Sequence, residues 1–99
     1  MGDILDTAGH KLATIDQEGI VRNVHGVKLG HVMGNGDVYN AQGHNVGHLR
    51  ANGYVYKENR HIASIHADGM VYDYDNHLIG KVAGDHIESS GAALVLLVR

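Results

Sequence analysis

The chain has no cysteine, no proline, no tryptophan and no phenylalanine. Without cysteine there is no disulfide framework, no thiolate metal site and no cysteine nucleophile. Without proline nothing interrupts a strand. No apolar run approaches a membrane-spanning helix; the longest, Ala92 to Val98, is about a third of that length. Lysine and arginine number only 8, against 11 aspartates and glutamates, for a formal net charge of −3. They are scattered, so the basic stripe that would release counterions from a nucleic acid is missing. The N-terminus, Met1-Gly-Asp-Ile-Leu5, lacks the basic start and apolar stretch of a signal peptide. The compartment stays open: the expectation is a cytoplasmic chain or a fragment of a larger protein.

What the sequence does have is glycine at regular intervals. Reading from successive glycines gives Gly19-Ile-Val-Arg-Asn-Val-His-Gly26, Gly36-Asp-Val-Tyr-Asn-Ala-Gln-Gly43, Gly53-Tyr-Val-Tyr-Lys57 and Gly69-Met-Val-Tyr-Asp73. The second halves continue Leu29-Gly-His-Val32, Val46-Gly-His-Leu49 and Ile79-Gly-Lys-Val82. A fixed period of about 17 residues marks a tandem repeat of one supersecondary unit. The units run 2–18, 19–35, 36–52, 53–68, 69–84 and, degenerately, 85–99. Each holds two turn signals. The first, as in Asp6-Thr-Ala-Gly9, places an Asx residue before a glycine or asparagine three positions on. The second is Gln17-Glu-Gly19 and its equivalents. Both spacings suit a three-residue hairpin loop whose last residue is left-handed.

Loop length tests the idea. Three-residue loops pair Val38 with Val46 and Leu49 with Val55. The fourth unit is one residue shorter, Lys57-Glu-Asn-Arg60, and a two-residue loop there pairs Val55 with Ile62. A Gly84-Asp85 turn and a Ser90-Gly91 turn would continue the pattern into the sixth unit, pairing Ile87 with Leu94. Apolar residues keep the same face throughout, although a one-residue slip would reverse it. The inward set is Ile4, Leu12, Ile15, Val21, Leu29, Val32, Val38, Val46, Leu49, Val55, Ile62, Ile65, Val71, Ile79, Val82, Ile87, Leu94 and Leu97. Two of these lie three apart on each second strand, with Ala13, Gly30, Gly47, Ala63 or Gly80 after the first. This predicts a bulge or bend there. The fold is therefore expected to be all-β: a single domain of about twelve antiparallel strands in a hairpin meander, curled into a sandwich, prism or barrel. The last copy, with Val95 and Leu96 at atypical places, reads as a cap or as an apolar edge for another chain.

Nine histidines offer the main chemistry. His10, His44, His61 and His77 follow the first turn of their units, so stacked repeats would align them as a candidate metal ladder. A specific zinc or nickel site needs three or four ligands converging on one ion, and the plainer account is solvated turn residues. Tyr39, Tyr56 and Tyr72 share one repeat position on the outer face, with His31 and His48 opposite Tyr39 and Tyr56 and Ser64 beside them. Such a ladder can stack on a sugar or anchor a protein partner; alternatively it only shields the sheet. Asp73-Tyr-Asp-Asn76 is the one dense acidic cluster, short of the six or more oxygens calcium needs. Ser89-Ser90-Gly91 has no neighbouring base, and the glycines around Gly34 precede no helix that could cradle a phosphate.

The unit resembles the tandem hairpin repeats of poorly characterised bacterial proteins, with the approximate pattern G-x-V-Y-[DN]-x-x-G-x-x-[IV]-G-x-V. The likeness is best in Gly36 to Asn52 and Gly69 to Asp85. It implies a repeat architecture and supplies no catalytic residues. The expectation is a non-enzymatic structural or protein-interaction module without a cofactor, with a protein partner or a homo-oligomer and with no nucleic acid or membrane insertion. The alternative is a small-ligand module, taking a glycan on the Tyr/His face or a divalent metal on the histidine ladder.

Overall fold

Each Asx residue of the first turns organises its own hairpin. The Asp6 carboxylate accepts hydrogen bonds from the Ala8 and His10 amides, and Asn23, Asn40 and Asp73 repeat that pattern at their own loops. The loop closes with the Gly9 amide donating to the Asp6 carbonyl and the Asp6 amide donating to His10. Its last residue is left-handed: Gly9, Gly26 and Gly43 have φ of 89°, 81° and 85°, and Asn76 takes the same conformation at 65°. Fourth in the series, Glu58 and Asn59 both have positive φ, as a two-residue loop between Lys57 and Arg60 requires.

In the computed structural model, which describes residues 1–99, these turns join ten strands. They are β1 (Gly2–Leu5), β2 (Lys11–Ile15), β3 (Ile20–Asn23), β4 (Lys28–Val32), β5 (Asp37–Asn40), β6 (Asn45–Leu49), β7 (Tyr54–Lys57), β8 (Arg60–Ile65), β9 (Met70–Asp73) and β10 (Leu78–Gly84). Each pairs antiparallel with its neighbours in sequence, and β1 pairs with β10, Gly2 opposite Gly84 and Ile4 opposite Val82. The meander closes into a barrel of five hairpins. It is all-β apart from a short helical tail.

That tail departs from expectation. Residues 85–99 form no sixth hairpin, and Ser90-Gly91 is no turn. Ile87–Ala93 is an α-helix (α1), followed by a π-helical turn over Leu94–Val98. The helix runs inside the ring, touching β1, β2, β4, β6, β8 and β10. Once β10 has bonded to β1 no strand edge is left to receive another hairpin. A segment in the lumen must satisfy its own backbone groups, which a helix does. Its sequence fits the space: Ser90, Gly91, Ala92, Ala93 and Leu94 are fully enclosed.

Register adds a second correction. Leu49 faces Val55 as expected, but Val38 pairs with Gly47 instead of Val46, and Val55 with Ala63 instead of Ile62. The expected bulge is present in each unit, but it takes up Leu12, Leu29, Val46, Ile62 or Ile79. These five side chains are only half-buried against the core. The small residue that follows each of them points inward instead. The reason lies across the lumen, where Leu97, Leu96 and Leu94 occupy the space that a Cβ on Gly30, Gly47 and Gly80 would need.

Two stability predictions follow from this fit. A Cβ at residue 47 would lie 2.6 Å from Leu96 Cδ1 and 2.7 Å from the Tyr56 carbonyl oxygen. Gly47→Val should therefore lower stability by about 1–3 kcal/mol through overpacking; an unchanged urea midpoint would refute the lumen fit. The buried Ser90 hydroxyl has no hydrogen-bond partner, so Ser90→Ala should raise stability by about 1 kcal/mol. The same urea titration reads both.

Candidate functional site

Residues two apart on a strand share a face, so the repeat position after each inward valine points out of the barrel. The register places His31 opposite Tyr39, His48 opposite Tyr56 and Ser64 opposite Tyr72 on that outer face. The pairs are not equivalent. His31 Nε2 lies 2.8 Å from the Glu18 carbonyl oxygen. His48 Nδ1 lies 2.8 Å from the Asp37 carboxylate, and Arg50 stacks over the Tyr56 ring with its guanidinium carbon 4.4 Å from the centroid. Tyr72 packs against His66, ring centroids 4.6 Å apart.

The densest group surrounds His61. Its ring centroid is 4.6 Å from Tyr54, 5.5 Å from Tyr56 and 6.0 Å, edge-on, from Tyr74. The half-buried imidazole is fixed by Nε2, 2.9 Å from the Ala63 carbonyl oxygen and 3.3 Å from the Ser64 hydroxyl. Tyr54 and Tyr74 are 40% and 70% exposed, so each offers a free face to solvent. Tyr54, Tyr74, Arg50 and the stacking role of His61 went unread in the sequence. Tyr54 could have been found, since it lies two residues before Tyr56 and shares its face.

The histidine ladder does not converge. His10, His44 and His77 are exposed at three separate hairpin tips, and His61 belongs to the aromatic group. The one set of three ligand-capable side chains with atoms within 4.8 Å of one another is Asp73, Asp75 and His77. In that loop Asp73 already accepts the Asp75 and His77 amides. The structure has two main hollows. One, of about 400 Å³, lies where the helix enters the barrel, between the links that follow the first three hairpins and His86, Glu88 and Ser89. The other, of about 740 Å³, lies at the opposite end, among Arg60, His61, Ile62, Asp73, Tyr74, Asp75, Val95 and Arg99.

No helix is long and apolar enough to cross a membrane. Compared with known proteins, the chain matches no family model, no curated protein and no solved structure.

Three turn carboxylates titrate low. The His10, Ile20 and His77 amides are the main cause of the lowering at Asp6, Asp16 and Asp73 respectively; partial burial opposes them, and further turn amides and nearby positive groups add to the lowering. A carboxyl whose folded pKa lies below its unfolded value stabilises the fold above that unfolded value, about 3.9. That contribution is lost as pH falls through the folded values. Thermal stability should therefore fall below about pH 4, and the combined variant Asp6→Asn, Asp73→Asn should fall less steeply. Asn23 and Asn40 already serve the same turns, so asparagine keeps the loop while removing the titration. An unchanged acid slope would contradict this account.

Proposed function

We propose that the chain is a non-catalytic interaction module: a closed barrel that presents a tyrosine-rich strip to a protein partner. The observation that carries the reading is the grouping of Tyr54, Tyr56 and His61 on the outer face of β7 and β8, with Arg50 of the preceding link stacked over Tyr56. Tyrosine offers large, amphipathic contact area at small entropic cost, and with arginine it is enriched among the residues that dominate binding energy at protein interfaces. The lumen is filled by the chain's own helix, so recognition falls to the outside. A second reading is a sugar stacked on the same strip, favoured by the Tyr39–His31 and Tyr56–His48 register pairs.

The test compares capture from the source cells by the native chain and by a Tyr54→Ala, Tyr56→Ala double variant with an unchanged melting curve. Loss of two such contacts should weaken capture of a specific partner by at least about tenfold, while Tyr39→Ala leaves it intact. If both baits retain the same proteins, the strip is not the interface. A glycan array on the same three proteins discriminates the second reading, because a tyrosine-dependent hit would favour the sugar.

A further inference from the structure

Five hairpins meet one structural demand, so the repeat itself says what the fold needs and departures from it ask for another cause. The departures gather at one place. The tip of the fourth hairpin is shortened to two residues, which forces Glu58 and Asn59 to φ of 53° and 65°. At the fifth tip Asn76 takes φ of 65°, where the first three hairpins use glycine. These are the only non-glycine residues in the left-handed region. Tyr54, Tyr56, Tyr72 and Tyr74, all but Tyr39 of the five tyrosines, belong to the same two hairpins. Between their tips lies the larger hollow.

Its lining is chemically mixed. Arg60 and the helix-terminal Arg99 bring two guanidinium groups, which match a carboxylate in a two-point hydrogen bond. Asp75 is exposed, and its carboxylate is an acceptor open to hydroxyl groups. Asp73 is committed to its own loop through the Asp75 and His77 amides. Tyr74 is 70% exposed and held edge-on to His61, so its face is free to stack, and Ile62 and Val95 form an apolar lining. The volume of about 740 Å³ is that of a small-molecule site. A bare anion would use the guanidiniums and leave Asp75 opposed to it; a neutral sugar would use Tyr74 and Asp75 and leave two cations idle. A carboxylate, several hydroxyls and an apolar ring face occur together on an acidic sugar.

We propose that the cleft between the fourth and fifth hairpin tips binds a hexuronic acid, as the free sugar or at the end of a glycan. Net charge is −3, so no long-range field draws the ligand in and selectivity comes from contact with Arg60, Arg99 and Tyr74. The cleft adjoins the Tyr54–Tyr56 strip through His61, but its ligand contacts are Arg60, Arg99 and Tyr74, so either assignment stands without the other.

Amide-resolved NMR titration of the full chain with sodium glucuronate, at fixed ionic strength, tests it. Saturable shifts are expected, confined to residues 58–62, 73–77 and 95–99, with glucose and acetate each binding at least about tenfold more weakly. Arg60→Ala and Tyr74→Ala should each weaken glucuronate by about tenfold, with Tyr39→Ala unchanged. Arg60→Gln, which keeps a polar side chain and part of the aliphatic stem, should weaken glucuronate similarly and guards against a folding artefact. Non-saturating shifts, equal shifts from acetate alone, or binding indifferent to Tyr74→Ala would each overturn the proposal. Loss of glucuronate binding in Tyr56→Ala but not in Tyr74→Ala would overturn the cleft and move the sugar to the strip. Partner capture that depends on Tyr54 and Tyr56 is read separately, so the two failures cannot be confused.

Discussion

A ring of ten strands is too wide for its own side chains to fill. About eight strands is the width at which side chains alone can pack a barrel interior, and here the inward residues are mostly valine, isoleucine, alanine and glycine. The remaining space is taken by the C-terminal helix, and the two surfaces are cut to each other. Gly30, Gly47 and Gly80 lack the Cβ that would strike Leu97, Leu96 and Leu94, while Gly91 of the helix yields to Ile65. Large meets small on both sides, which is what close packing at near-crystalline density requires. The ring cannot exclude water without the helix, and the helix has no other apolar surface to bury against.

The same constraint explains why loop length varies while the inward set does not. Each hairpin must return a small residue to the lumen opposite a valine or isoleucine, and the bulge at Leu12, Leu29, Val46, Ile62 or Ile79 makes the odd residue count fit. The shortened loop at Glu58-Asn59 is tolerated because Ile62 still bulges and Ala63 still faces Val55. A one-residue error without that device would turn a whole strand inside out.

Local chemistry was legible in the sequence where it is local in space. The Asx turns at Asp6, Asn23, Asn40 and Asp73, the left-handed Asn76 and the two-residue loop before Arg60 all form as their residue types dictate. The outward Tyr–His pairs follow from the same register. What could not be read was set by closure. Ile87, Leu94 and Leu97 satisfy a strand pattern as well as a helix, and only the β1–β10 seam removes the edge a sixth hairpin would need. The signal was present in Ser90-Gly-Ala-Ala93, a run of small residues that suits helix packing in a narrow lumen better than a turn. In the sequence the inward small residues read as bend markers alone, because the helix that they accommodate lies far along the chain. At the candidate site, the spacing of Tyr39, Tyr56 and Tyr72 was legible, but the gathering of Tyr54 and Tyr74 around His61 depends on how two neighbouring tips sit together.

Closure also limits how such a molecule can be recognised. An open sheet offers its edge amides and carbonyls, and an extended peptide can add itself as one more strand. In this ring every strand has two partners, so that mode is absent and no edge invites aggregation. The lumen is occupied and the hairpin turns bond to themselves. Any specific contact must then be made by side chains that the fold leaves outside, on strands only four to seven residues long. Small area per strand favours residues that bring the most contact for the least ordering, and tyrosine, histidine and arginine meet that need with few rotatable bonds or a pre-formed planar group. The concentration of four of the five tyrosines on two of five otherwise equivalent hairpins is the asymmetry that a symmetric scaffold needs before it can bind one thing in one orientation.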